Sequence, residues 1–148
     1  MRPESSDSNL SVPALYTHQD RKVNFQHYNG FLHTMGLVSS LRDQIILTEL
    51  LIRWSSRDDF RNIALGVPVG KVRRGQETFS SGGLRWTKTK KSGNLYFITG
   101  VTKGAASFIG YLPQTSTAVI ILANRGMSVH PLGMHILRMI NYEFNRTY

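Results

Sequence analysis

The pattern of apolar positions in the first half of the chain predicts one long helix. Between Leu37 and Trp54 apolar residues recur around more than one helical face, which is typical of a mostly buried helix. Ser40 and Asp43 have the spacing of a capping box, in which two side chains near a helix start satisfy free backbone N–H groups. We therefore expect the helix to be capped by Ser40.

The second half of the chain has the pattern of short strands separated by turns. Lys103-Gly104 and Pro113-Gln-Thr-Ser116 are turn sequences that lie between apolar runs. The predicted strands are Leu84–Thr89, Leu95–Val101, Ala106–Leu112 and Ala118–Asn124.

A second helix is predicted from Ser128 to Phe144, with Pro131 in its first turn. Leu132, Ile136, Ile140 and Phe144 recur every four residues, which predicts that this stripe packs against the sheet.

Three segments lack a sustained period. Residues 1–12 are polar and predicted to be disordered, and the polar stretch from Val12 to Asn29 is predicted to be a loop or a short irregular cover. Residues 66–81, which hold Pro68 and Gly75 among charges, are predicted to be the loop that leads into the sheet. Together these patterns predict an α/β (α+β) fold, an antiparallel sheet of three to four strands flanked by helices, in a single domain over residues 13–148.

Composition agrees with one small domain. A chain of 148 residues with 41% hydrophobic content can fill one core. No apolar run approaches the roughly 18 residues that a membrane span needs. The first nine residues are not followed by an apolar segment, so we expect no signal peptide and a cytoplasmic location for the chain as written.

The net charge of +9 suggests anionic partners. The basic residues are scattered, as in Lys71-Val-Arg-Arg74 and Lys88-Thr-Lys-Lys91, and the aromatic residues lie in predicted strands. A basic binding module for nucleic acid or another anionic partner therefore remains the alternative interpretation.

The strand-turn-strand segment from Tyr96 to Asn124 carries a family resemblance. Thr99-Gly100 and the Leu112-Pro113 turn are similar to the C-terminal hairpin of class C β-lactamases and the related penicillin-binding DD-peptidases and esterases. In that family a Lys-Thr-Gly strand lines the active site. Here Ile98 stands at the lysine position.

Two further segments resemble the same family in the same order. Gly36–Asp43 is similar to its turn into a helix, and Ser81–Trp86 to its Gly-Leu-Gly-Trp strand. The resemblance runs from about Gly36 to the end of the chain. It implies that residues 13–148 form a partial β-lactamase-like domain.

The catalytic residues that the resemblance would require are missing. The family's nucleophile and base come from Ser-x-x-Lys, assisted by Tyr-x-Asn, and the chain contains neither motif. We therefore expect no catalytic residue and no cofactor. The resemblance leaves a substrate-binding remnant of Ile98, Thr99, Gly100, Val101, whose N–H would be an oxyanion donor, and Arg125, near the position of the substrate carboxylate.

No metal site is expected, because His130 and His135 are five residues apart and do not share a helical face. The main interpretation is a truncated or degenerate serine hydrolase relative without activity of its own, for which binding of β-lactams or cell-wall peptides is not expected. In the family, strands from the N-terminal region complete the sheet beside the strand equivalent to Ala118–Ala123, and none is predicted here before Gly36. That edge should stay unpaired, so we expect a homo-oligomer or a complementing chain.

Overall fold

A computed structural model of the chain describes residues 13–24, 39–55, 70–74, 77–81, 85–89 and 93–142. The predicted disordered segment, residues 1–12, lies outside the described residues. The elements in chain order are β1 (Leu15–Thr17), β2 (Lys22–Val23), α1 (Leu41–Ser55), β3 (Gly70–Arg74), β4 (Glu77–Ser81), β5 (Arg85–Thr89), β6 (Gly93–Val101), β7 (Ala106–Leu112), β8 (Thr117–Ala123), β9 (Arg125–Gly126) and α2 (His130–Ile140).

The main sheet is antiparallel and has six strands in the order β3-β4-β5-β6-β7-β8. Each strand therefore pairs with its neighbours in the chain. The predicted α+β class is confirmed, although the sheet is larger than the expected three to four strands. The additional strands are β3 and β4, which pair from Gly70↔Ser81 to Arg74↔Glu77, so the predicted loop over residues 66–81 is wrong there.

Turn chemistry sets the two hairpins in the second half of the sheet. In the β6–β7 turn, Thr102 N–H donates to the Ala105 carbonyl at 2.8 Å, and Ala105 N–H donates to Thr102 Oγ1 at 3.0 Å. Between β7 and β8, residues 113–115 form one 3₁₀ turn that ends at Ser116, which adopts a left-handed conformation with φ 50°. Both turns coincide with the predicted ones.

The two helices pack on opposite faces of the sheet. On one face, Leu51 of α1 contacts Tyr96 and Tyr111. On the other, Leu137 of α2 packs in the larger cluster that contains Phe108. Because side chains alternate along a strand, β6, β7 and β8 each contribute to both layers.

The capping box of α1 is confirmed. Asp43 N–H donates to Ser40 Oγ at 3.2 Å, and Ser40 N–H donates to Asp43 Oδ2 at 3.3 Å. The Ser40 hydroxyl also donates to Asp43 Oδ2 at 2.7 Å. The two hydrogen bonds that Ser40 donates to the carboxylate lower the pKa of Asp43, and the bond from the hydroxyl has the larger effect.

The burial predicted for α1 is wrong for its first half. Thr48, Leu51 and Ser55 are buried against the sheet, whereas several apolar side chains nearer the start of the helix are exposed. Helix α1 contacts β7, β8 and the 3₁₀ turn between them. The exposed apolar side chains of the first half are Leu41, Ile45, Ile46 and Leu47.

The stripe predicted to pack against the sheet is correct only in part for helix α2, where Ile136 packs against the core cluster that contains Leu137 and Phe108. The buried residues of the helix are Gly133 and Leu137, while Leu132 and Ile140 of the predicted stripe are exposed. Glycine allows the helix backbone to approach the sheet closely, and this contact sets the rotation of the helix. Phe144, the last residue of the predicted stripe, lies outside the described residues.

A second, small sheet lies at the end of β8, in the order β2-β1-β9. Strands β1 and β2 form a hairpin, and β1 runs parallel to β9 with Tyr16 opposite Arg125. The turn between β1 and β2 is held by Thr17 Oγ1, which accepts hydrogen bonds from Gln19 N–H and Arg21 N–H. The prediction of loop from Val12 to Asn29 is therefore wrong for this hairpin.

Candidate functional site

The segment Ile98–Val101, where the family resemblance is strongest, forms the last four residues of β6. Its partner on one side is β7, from Ile98↔Ile109 to Val101↔Ala106. On the other side, the described pairing with β5 ends at Arg85↔Phe97. Among the described residues, the segment thus has a ladder partner on one side only.

Ile98 lies in a row of three isoleucines that crosses the sheet. The register places Ile98 opposite Ile109, and Ile109 opposite Ile120. By the alternation of side chains, this isoleucine row lies on the face of Tyr96 and Tyr111, the face that α1 covers in part. Ile98 remains 41% exposed. The position that the resemblance compares with the family's lysine is therefore part of an apolar surface.

Thr99 points to the opposite face from Ile98. Its register partner is Phe108, and its hydroxyl donates to the Ser107 carbonyl oxygen at 3.2 Å. That bond commits the hydroxyl hydrogen to the sheet backbone. Thr99 is exposed, but it does not share a face with the isoleucine row.

Gly100 and Val101 continue the strand toward the turn. A Cβ on Gly100 would lie 3.3 Å from Ser107 Oγ, so these two residues are close neighbours across the hairpin. Val101 is exposed and forms the last ladder pair, with Ala106. Its backbone N–H, the predicted oxyanion donor, is therefore at the end of the β6–β7 ladder.

Arg125 is engaged with the N-terminal hairpin. Its Nη2 lies 2.7 Å from Asp20 Oδ2 and donates to the His18 carbonyl oxygen at 3.1 Å. Its Nε is buried and has no hydrogen-bond partner among the described residues. The Asn124 side chain adds a hydrogen bond to the Ala14 carbonyl at 2.9 Å. Arg125 thus holds β1 and β2 against the end of β8. These contacts direct its guanidinium to the turn between β1 and β2 and not to the isoleucine row.

Tyr111 is fully buried in the sheet beneath α1, where it packs with Leu51. Its ring stacks on that of Tyr96 with centroids 5.3 Å apart. Burial raises the pKa of Tyr111 to about 12, and the neighbouring Ser55 hydroxyl offsets only part of that rise. The Ser55 hydroxyl donates its hydrogen to the Leu51 carbonyl oxygen at 2.6 Å. The Tyr111 hydroxyl makes no bond of full hydrogen-bond geometry within the described residues.

His130 belongs to the opposite layer. Its ring lies 5.2 Å from that of Phe97 and 5.7 Å from that of Phe108, between centroids. His135 is exposed on the same helix. The described part of the chain holds no group of three or more histidine, aspartate or glutamate side chains placed to bind a metal ion. In the same residues, no helix is long and apolar enough to cross a membrane.

Among the described residues, the segment Ile98–Val101 does not bring together the groups of a covalent acyl-transfer site. Such a site needs a hydroxyl beside a base or lysine, with donors aimed at the developing oxyanion. The hydroxyl of Thr99 is bonded to a carbonyl oxygen, and Ile98 supplies no charge. What the segment offers is an apolar surface and strand backbone.

No protein-family model, no curated protein and no solved structure matches this chain. The family resemblance therefore rests on the residues of the chain itself.

The isoleucine row and the Asp20–Arg125 ion pair are not evident from the sequence. Ile109 and Ile120 are ordinary strand residues in the sequence, and only the register brings them beside Ile98. The sequence signal for this contact is the turn at residues 113–116, which in an antiparallel hairpin places Ile109 and Ile120 opposite each other. The Asp20–Arg125 pair joins residues that are 105 positions apart, and no local pattern indicates it.

Proposed function

We propose that this chain is a non-catalytic relative of the class C β-lactamases, DD-peptidases and esterases. It keeps the strand that lines the family's active site and lacks the serine chemistry. Its role is then one of association rather than turnover. β-Lactams and cell-wall peptides are not its ligands.

The observation that carries this proposal is the environment of Ile98. Where the family has a lysine, this chain has an isoleucine that continues an apolar row with Ile109 and Ile120. A lysine at this exposed position would have Ile109, and no opposite charge, as its cross-strand partner in β7. The surroundings of Ile98 therefore favour an apolar residue, in keeping with the absence of Ser-x-x-Lys and Tyr-x-Asn from the sequence.

Hydrolysis of a chromogenic cephalosporin tests the proposal. The purified chain and its Ile98→Lys variant are compared with an active class C β-lactamase. Both should show only the background rate, because a lysine without a neighbouring hydroxyl nucleophile has nothing to activate. Turnover above background by the unmodified chain would overturn the proposal. Turnover that appears only in Ile98→Lys would show that a nucleophile does lie beside this position, and would also overturn it.

A further inference from the structure

Among the described strands, β8 is an edge of the main sheet. It pairs with β7 along its whole length, from Ala106↔Ala123 to Leu112↔Thr117, and with no other described strand. The hairpin β1–β2 lies beyond its end, where Tyr16 N–H donates to the Asn124 carbonyl at 2.9 Å. An edge strand exposes a row of backbone N–H and C=O groups, and the occupant that satisfies such a row is another strand.

Edge strands of soluble proteins are commonly protected by charges, proline or bulges. Strand β8 has the sequence Thr-Ala-Val-Ile-Ile-Leu-Ala, which contains no charged residue and no proline. Its pairing with β7 is continuous, without a bulge. The edge therefore has the character of an interface.

The apolar residues 118–122 of β8 can pair with the same residues of a second copy. In antiparallel pairing centred on Ile120, Val119 lies opposite Ile121 of the second copy, and Ala118 lies opposite Leu122. Residues opposite each other in an antiparallel pair lie on the same face of the sheet. On each face, these pairs therefore place one apolar side chain beside another. At the centre, Ile120 meets Ile120. The isoleucine row would then run without interruption from Ile98 of one copy to Ile98 of the other.

Both helices lie over the two strands nearest this edge. Helix α2 packs on β7 and β8 alike, and α1 contacts the same two strands on the other face. Each helix carries large apolar side chains that are exposed in the single chain. Edge pairing therefore brings both helices of each copy close to the shared axis. Their exposed apolar side chains can there add contact area to that of the strands. The exposed side chains are Leu41, Ile45, Ile46 and Leu47 on α1, and Leu132, Met139 and Ile140 on α2.

We infer that two copies of this chain form a two-fold dimer by antiparallel pairing of their β8 strands, centred on Ile120, to give one continuous sheet. The dimer does not depend on the proposed function. Its net charge opposes association at long range, yet none of the charged residues lies within β8, so the contact itself meets no like charges. Higher salt should accordingly strengthen the dimer.

Disulfide trapping tests the register directly, because the chain contains no cysteine. In the proposed pairing, Ile120→Cys faces its own copy across the axis with Cα atoms about 4.5–5.5 Å apart, which a disulfide can span. Thr117→Cys is the matched control, since residue 117 is half-buried like Ile120 but would lie about 20 Å from its own copy. Under mild oxidation Ile120→Cys should form a covalent dimer and Thr117→Cys should not. Equal trapping of both variants, or of neither, would overturn the inference.

A charge pair tests the same register without a covalent bond. Ala118 and Leu122 are exposed, Leu122 at 45%, and each would face the other's position in the second copy. The variant Ala118→Lys/Leu122→Lys places like charges opposite each other twice, whereas Ala118→Lys/Leu122→Glu places opposite charges there. Circular dichroism first establishes that both variants are folded.

Light scattering then gives the masses. The unmodified chain should have twice the single-chain mass of 16.7 kDa. The Lys/Lys variant should fall to the single-chain mass, and the Lys/Glu variant should retain the dimer. A single-chain mass for the unmodified protein over a concentration series would overturn the inference, as would a dimer that persists in the Lys/Lys variant.

Discussion

Gly133 of α2 lies directly against the aromatic ring of Phe108 on β7. A Cβ atom built on Gly133 would overlap three ring atoms of Phe108. Phe108 is fully buried, at 0% exposure, and its ring also bounds the space beside Gly110. The absence of a side chain at residue 133 thus sets both the distance and the rotation of the helix on the sheet.

Gly133→Ala should therefore destabilise the protein, although alanine is the better helix former by about 1 kcal/mol. Overpacking of a filled core costs roughly 1–3 kcal/mol, and Phe108 has no exposed space into which to move. Urea denaturation should show a lower midpoint for the variant. In the double variant Gly133→Ala/Phe108→Leu the smaller side chain should recover part of the loss, and strict additivity of the two changes would contradict the contact.

Two leucines of α2, one buried and one exposed, allow a matched pair of substitutions that tests which face of the helix packs on the sheet. Leu137 is 2% exposed within the core, and Leu132, from the stripe expected by sequence, is 53% exposed. Leu137→Ala should reduce the free energy of unfolding by about 2–5 kcal/mol, since it leaves a cavity. Leu132→Ala in the isolated chain should change it by less than about 1 kcal/mol. A larger effect at Leu132 than at Leu137 would mean that the helix packs on the predicted stripe.

Burial of Tyr111 predicts a loss of stability at alkaline pH. The pKa of Tyr111 in the folded chain is about 12, above its ordinary value of 10.0, so the folded state retains the proton where the unfolded state releases it. The contribution of this group is complete below pH 10.0 and is lost as pH rises toward 12. Tyr111→Phe should be close to neutral at pH 7, because its hydroxyl lacks a complete hydrogen bond, and should reduce the decline above pH 10. An unchanged decline in the variant would show that other groups cause it.

The central strands were predictable because they combine apolar runs with recognisable turns. The predicted strands over residues 95–101, 106–112 and 118–124 begin and end within two residues of the observed strands. The start of α1 was predictable for a similar reason, since Ser40 and Asp43 make a local motif. These features depend on residues that are close in sequence.

The other features depend on contacts that sequence patterns do not record. Strand β3 contains Gly70 and three basic residues, and four of the five residues of β4 are polar. Such composition is typical of loops, and pairing with the rest of the sheet overrides that preference. The face of α2 is set by Gly133, a residue that a search for apolar stripes does not count. At the candidate site, the sequence located Ile98 but could not show that its neighbours are Ile109 and Ile120, because strand register joins them.

The most direct test of the central claim is the intact mass of the protein after incubation with benzylpenicillin. A serine hydrolase of the family forms an acyl-enzyme, whose ester bond survives denaturation and adds the mass of the penicillin to the chain. With neither Ser-x-x-Lys nor a cation at Ile98, the account predicts an unmodified 16.7 kDa species at every incubation time. A stoichiometric penicilloyl adduct on any residue of this chain would contradict it.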